Sequence, residues 1–121
     1  MVEKIIGQVP SKSNSYKIVT QKGADGYHAS LAKKEGLKDY EKSFYLQCSK
    51  YRNKNIKGLF ELNLRVFNSS QRPDLDNALK IILDCLQSCR AIENDRQCIK
   101  IIVEKFVDKT NPRIEFEIIE V

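Results

Sequence analysis

Leu59-Phe60-Glu61-Leu62-Asn63-Leu64-Arg65-Val66-Phe67 alternates without a break: Phe60, Leu62, Leu64 and Val66 fall on one side, and Glu61, Asn63 and Arg65 on the other. Successive side chains of a strand point to opposite faces, so this is a half-buried strand with one apolar face. The next stretch, Asn68-Ser69-Ser70-Gln71-Arg72-Pro73, is made of turn formers and reads as a loop. Beyond it the period changes from two to 3.6. Leu75, Leu79, Ile82, Leu83 and Leu86 line up as one stripe, which predicts a helix over about 75–90 with Asp74 at or beside its N-cap.

Working outward, Gln97 to Val107 and Arg113 to Val121 read as two more strands, and the turn around Asp108 to Pro112 suits a hairpin between them. Upstream, Val2 to Gln8 reads as a strand stopped at Pro10, and residues 11–17 as a polar loop. Residues 18–36 are weakly patterned, with Gly23, Gly26 and Gly36 as punctuation. Tyr40, Phe44, Cys48 and Tyr51 at helical spacing predict a helix over about 37–52. The expected fold class is α/β: a single domain over residues 1–121, ordered β-α-β-α-β-β, with two main helices packed on a small mixed sheet. At 121 residues and 14.0 kDa such a chain buries roughly two-thirds of the surface its unfolded form exposes.

Composition excludes several classes. Hydrophobic residues at 41% and charged residues at 31% argue against wholesale disorder. No run approaches the roughly 20 apolar residues that a membrane helix needs. Met1 to Gly7 is too short and too polar for a signal peptide, so a soluble protein of the cytoplasm is expected. The net charge of +5 is unevenly spread: residues 1–60 carry 12 Lys and Arg against 5 acids, residues 61–121 carry 9 against 11. A basic half suits a polyanion, while Lys-rich solvated surface is the plainer explanation. Cys48, Cys85, Cys89 and Cys98 contain no CxxC pair, and the one histidine, His28, lies in a predicted loop far from them. Core packing explains these thiols better than a metal, and a reducing cytosol disfavours disulfides.

The candidate site is Asp74-Leu75-Asp76 with Lys80. Asp76 and Lys80 are i,i+4 and share a helix face, and Asp74 is placed to turn toward the same point. Asp95 opens the next strand and needs tertiary packing to join them. Three converging carboxylates repel one another unless a cation sits among them, and such oxygen ligands suit Mg²⁺ or Mn²⁺. An ion held this way activates water against a phosphodiester, and Lys80 offsets the charge that develops. Each residue also has a structural reading: Asp74 as a cap, Asp76 with Lys80 as a surface ion pair, and Asp95 as a turn residue. An EF-hand is excluded, because Ala78 and Leu79 stand where such a loop needs an oxygen ligand and a glycine.

Arg72-Pro73-Asp74-Leu75-Asp76-Asn77-Ala78-Leu79-Lys80, then Leu83-Asp84-Cys85-Leu86, then Glu93-Asn94-Asp95-Arg96-Gln97, resembles the RusA family of Holliday junction resolvases. Pro10-Ser11-Lys12-Ser13-Asn14-Ser15-Tyr16 resembles the family's early Pro/Ser/Asn/Tyr loop, so the likeness spans almost the whole chain. It implies Asp74, Asp76 and Asp95 as metal ligands and catalytic acids, with Lys80 as an essential basic partner. It further implies Mg²⁺ or Mn²⁺ dependence and a homodimer that cuts four-way DNA junctions by paired symmetric nicks. Arg72, Lys12, Asn14, Lys17, Arg52 and Lys54 are candidate DNA contacts by charge and position. Two departures stand out: Asn94 occupies a position where family members often carry a second acid, and residues 18–37 match poorly. Asp84 lies two helical turns from Asp76, roughly 12 Å along the axis, which points to a structural role. The alternatives are a junction-binding protein that has lost catalysis, and a DxD-type transferase, disfavoured because no Gly-rich phosphate loop is present.

Overall fold

The structure, a computed structural model, describes residues 1–11, 15–23 and 26–121, with the side chains of Gln21, Tyr27, His28 and Ser30 outside the description. The strand at its centre is Phe60–Asn68, whose apolar side chains Phe60, Leu62, Leu64 and Val66 are all buried. In chain order the elements are β1 (Glu3–Ile6), β2 (Tyr16–Gly23), β3 (Gly26–Lys33), α1 (Glu35–Gln47), β4 (Phe60–Asn68), α2 (Leu75–Ser88), β5 (Cys98–Val107) and β6 (Arg113–Glu120). Four strands form one sheet in the order β1-β6-β4-β5, and β2 with β3 form a separate two-stranded hairpin. This is a small mixed sheet with two helices, as expected. The hairpin is an addition: residues 11–17 were expected to be a loop and 18–36 only weakly patterned, and His28 lies on β3 rather than in a loop.

β5 runs parallel to β4, and β6 runs antiparallel to it on its other side. The expected hairpin between β5 and β6 is therefore not formed. Residues 108–112 instead carry the chain across the end of β4, where the Asp108 N–H bonds the Asn68 carbonyl at 2.8 Å. Turn chemistry at Asp108 to Pro112 is real, and Asp108 accepts from the Asn111 N–H at 3.2 Å. What it cannot report is that another strand occupies the slot between its neighbours.

Parallel neighbours cannot be joined by a tight turn, so the β4–β5 connection needs a crossover, and α2 supplies it. Its buried side chains are Ala78, Ile81, Ile82, Cys85 and Leu86, whereas Leu75, Leu79 and Leu83 are only partly buried. The helix packs against α1 as well as β5, so its core face is broader than the leucine stripe and turned from it. Cys48, Cys85 and Cys89 are all buried in this core.

α1 ends at Gln47, earlier than its apolar spacing suggests. Tyr51 is buried from a turn instead: its hydroxyl donates to the Met1 carbonyl at 2.5 Å and accepts from the Ile118 N–H at 3.2 Å. Phe116 is the hub beneath, with Phe44 stacked at 5.9 Å between ring centroids and Tyr51 tilted at 5.5 Å. On the sheet face away from the helices, Glu115 takes Arg65 and Arg113 at 2.9 Å each, and Arg113 lies 3.8 Å over the Phe67 ring.

Phe116 touches both the helix layer and the turn that closes it, and replacing a buried Phe by Ala removes its contacts and leaves a void. Phe116→Ala is expected to cost about 3–5 kcal/mol. A urea midpoint that moves by the equivalent of less than about 1 kcal/mol would show that the ring cluster is not the hub.

Candidate active site

β4 ends and α2 begins at one place, separated by residues 69–74. Open α/β sheets build sites beyond the carboxyl ends of their strands, because there the loops converge on helix N-termini. Several side chains fix this loop. The Lys105 ammonium, from β5, donates to the carbonyls of Gln71 at 3.0 Å and Pro73 at 3.2 Å. Gln8 donates to the Asn68 side chain at 2.7 Å and accepts from the Ser69 N–H at 2.8 Å. The Asn77 amide donates to the Pro10 carbonyl at 3.1 Å, which ties α2 to the segment after β1.

Asp74, Asp76, Asn77 and Lys80 line one cavity of about 370 Å³, closed on the far side by Tyr16 and Leu31 of the hairpin. Asp74 holds the N-cap position of α2 in extended backbone conformation, but its carboxylate makes no capping hydrogen bond. Nor do Asp76 and Lys80 form an ion pair, even though helical spacing puts them on one face. Asp74 thus holds the expected cap position without making the capping bond, and Asp76 stands in the first turn without pairing to Lys80. Lys80 instead places its ammonium 5.4 Å from the centroid of the Tyr16 ring. Two carboxylates and a lysine thus share a cavity with no ion pair among them, at the positive end of a helix dipole.

Asp95 does not line this cavity. It opens a short 3₁₀ turn, Asp95–Gln97, whose cap is the Asn94 side chain accepting from the Arg96 N–H at 3.0 Å. The Asp95 N–H is held by the Gln87 side chain at 2.7 Å, near the far end of α2. Among the described residues no three acids, histidines or cysteines stand close enough together to hold an ion. The expected convergence of Asp74, Asp76 and Asp95 is thus not formed within one chain.

Asp84 comes nearest to linking the two ends. Burial pushes its carboxyl above the ordinary carboxylate range; the Lys80 ammonium opposes that push, and Asp95 adds to it. Lys33 and Glu41, which pair with each other at 2.9 Å, border the same spot. One polar stripe therefore runs down α2 through Asp76, Lys80, Asp84 and Gln87, with the paired acids at one end and Asp95 at the other.

Of the candidate DNA contacts, Arg72 is exposed on the loop just before Asp74, and Lys17 is exposed on β2. Arg52 and Lys54 lie by the opposite end of α2, where the Asn53 N–H bonds the Cys89 carbonyl at 3.0 Å. They cover tyrosine rings there, Arg52 at 5.0 Å from Tyr45 and Lys54 at 5.7 Å from Tyr51. Lys12 and Asn14 fall outside the described residues. Sequence reasoning missed Tyr16, Leu31 and Lys105 as parts of the site. Tyr16 and Asn77 do stand inside the quoted motifs, which was their only signal.

Unpaired acids and a lysine thus share a cavity at a strand's carboxyl end and a helix N-terminus, a place that also favours phosphate. The family model of the endodeoxyribonuclease RusA matches residues 8–119, nearly the whole chain, and the chain belongs to that family. No curated protein sequence matches it.

The partly buried position of Asp84 sets a pH dependence. Its folded pKa is raised, so folding disfavours the ionised carboxyl. That penalty is fully present above the raised pKa and disappears as the pH falls below the ordinary value of 3.8. Asp84→Asn is expected to raise Tm most at pH 7–8 and by a shrinking amount toward pH 4. A Tm difference that is constant across that range, or a loss that grows with pH, would contradict it.

Proposed function

We propose that this protein is a structure-selective endodeoxyribonuclease that resolves four-way DNA junctions by paired symmetric nicks. The observation that carries the reading is the cavity where Asp74, Asp76 and Lys80 meet without pairing. Carboxylate oxygens with no partner, beside water, suit a hard divalent ion that keeps part of its hydration shell. Asp74 and Asp76 would hold Mg²⁺ or Mn²⁺, which when bound polarises a phosphate oxygen and lowers the pKa of a bound water. The chain's own groups do the rest. Lys80, whose ammonium stands over the Tyr16 ring, presents a cation to the charge gathering on the phosphate. Asn77, pinned to Pro10, keeps the first turn of α2 in place, and Arg72, Lys17, Lys12 and Asn14 are proposed to take the backbone on either side.

A junction has two strands to cut, related by a twofold axis, so a homodimer with two sites fits it. The outer edge of β5 supports this reading. It has no strand partner among the described residues and exposes Ile99, Ile101, Ile102 and Phe106. A long apolar edge of this kind is a template for another strand. Antiparallel pairing of β5 with its own copy, centred on Ile102, sets Lys100 opposite Glu104 twice and Ile101 opposite Val103. It would also carry the start of each β5, and with it Asp95, toward the end of the partner's sheet where Asp74 stands. In this reading Asp95 of the partner subunit completes each site. The free thiols and the DNA substrate both suit the cytoplasm.

Asp76→Asn is expected to lower Mg²⁺-dependent nicking of a synthetic four-way junction by more than about a hundredfold while leaving junction binding intact. Protein that binds junctions but cuts none of them, nor flaps or forks, with either Mg²⁺ or Mn²⁺ would instead be a binding module. Mixing Asp76→Asn with Asp95→Asn chains, each inactive alone, should restore nicking of one strand, because the mixed dimer keeps one intact site. If mixing restores nothing, Asp95 works within its own chain or not at all.

A further inference from the structure

The β2–β3 hairpin pairs along its whole length with itself, from Tyr16 opposite Lys33 to Gly23 opposite Gly26, and meets the other elements only sparsely. Its base is well fixed. The Lys34 N–H bonds the Ser15 carbonyl at 2.8 Å, Lys33 pairs with Glu41 at 2.9 Å, and Tyr16 packs on the core. Beyond that base it is an arm. Ile18 and Leu31 are cross-strand partners on the arm, and they are 75% and 72% exposed.

The side of the arm they occupy decides what they can touch. Side chains alternate along a strand, so Ile18 shares a face with Tyr16, and cross-strand partners share that face too. Tyr16 and Leu31 both line the cavity of Asp74, Asp76 and Lys80. Leu31 therefore lines the candidate active site, and Ile18, its cross-strand partner on the same face, stands beside it at the rim. The arm is basic as well, with Lys17 and Lys22 exposed on β2. A basic arm repels a basic partner and suits a polyanion, and the large apolar surfaces of a polyanionic DNA are the faces of its bases. Those faces are covered by stacking in a duplex and become available where strands exchange or fray. Aliphatic side chains beside a basic surface are how proteins wedge open base steps.

We propose that the arm inserts Ile18 and Leu31 against unstacked bases next to the phosphodiester held at Asp74 and Asp76, selecting DNA whose bases can be unstacked there. This rests on the nuclease reading of the adjacent site. It makes the arm a specificity device, acting through the bases rather than through the phosphates.

The test uses 2-aminopurine, a base whose fluorescence rises on unstacking, placed at the crossing point of a synthetic four-way junction. Binding is followed separately by anisotropy, in Ca²⁺, on the full-length protein. The expected result is a fluorescence rise on binding that Ile18→Ser/Leu31→Ser loses, while Ile18→Met/Leu31→Met keeps it. Cleavage in Mg²⁺ of an intact junction, relative to one already unpaired at the same position, should fall about tenfold in the serine variant. Binding with no rise in fluorescence, or a rise unchanged by the serine pair, overturns the proposal and leaves the nuclease reading standing. Loss of the dimer in the serine variant also overturns it, by assigning the pair to a contact between copies. If no junction binds at all, the nuclease reading fails with it.

Discussion

The parallel pairing of β4 with β5 is the constraint on which the rest of the molecule depends. Two strands that run the same way cannot be linked by a turn, so the chain must return from one end of β4 to the other before β5 begins. α2 makes that return, and its N-terminus is thereby fixed beyond the carboxyl end of β4. The position of the acids follows from this. Asp74 and Asp76 are where they are because that is where a crossover helix has to start. Lys105 reinforces the arrangement from β5 itself, since its ammonium holds the carbonyls of Gln71 and Pro73 in the loop before Asp74.

The same constraint separates Asp95 from the other acids. α2 leaves the site end of the sheet and β5 starts at the opposite end, so Asp95 is held beside Gln87, about three helical turns beyond Asp76, and outside the cavity that the other two acids line. Asp84 and Lys80 stand along the way, and the partial burial of Asp84 is the electrostatic mark of that stripe.

How far the sequence alone revealed this varies by residue, for physical reasons. β4 was legible because one of its faces is fully buried and the other is polar, which is the condition under which alternation becomes strict. Asp76 and Lys80 were legible as neighbours because helical spacing is local. α2 was recognised by its leucines, but burial against α1 turned its core face toward Ile81 and Cys85, and no single-helix pattern contains a second helix. The hairpin was missed because an arm that faces water on both sides has no buried face to impose a period, and Ile18 and Leu31 look like isolated residues until they are paired. The β5–β6 crossing and the place of Asp95 depend on which strand fills the slot between two others, and that information is not local.

β1 pairs with β6, Glu3 opposite Phe116. β1 therefore has no sheet partner until β6 has been made. Closing this sheet joins strands more than a hundred residues apart, Glu3 to Phe116, which makes folding a matter of contacts far apart in sequence and slower than a helical protein of equal size. During that interval Ile5, which ends in the core opposite Ile114, waits in water. Once the sheet has closed, Met1 lies against Glu117, at the β1 side and away from the β5 edge. A short linker between β6 and β1 could therefore join these two strands, with the chain opened elsewhere and the sheet left intact.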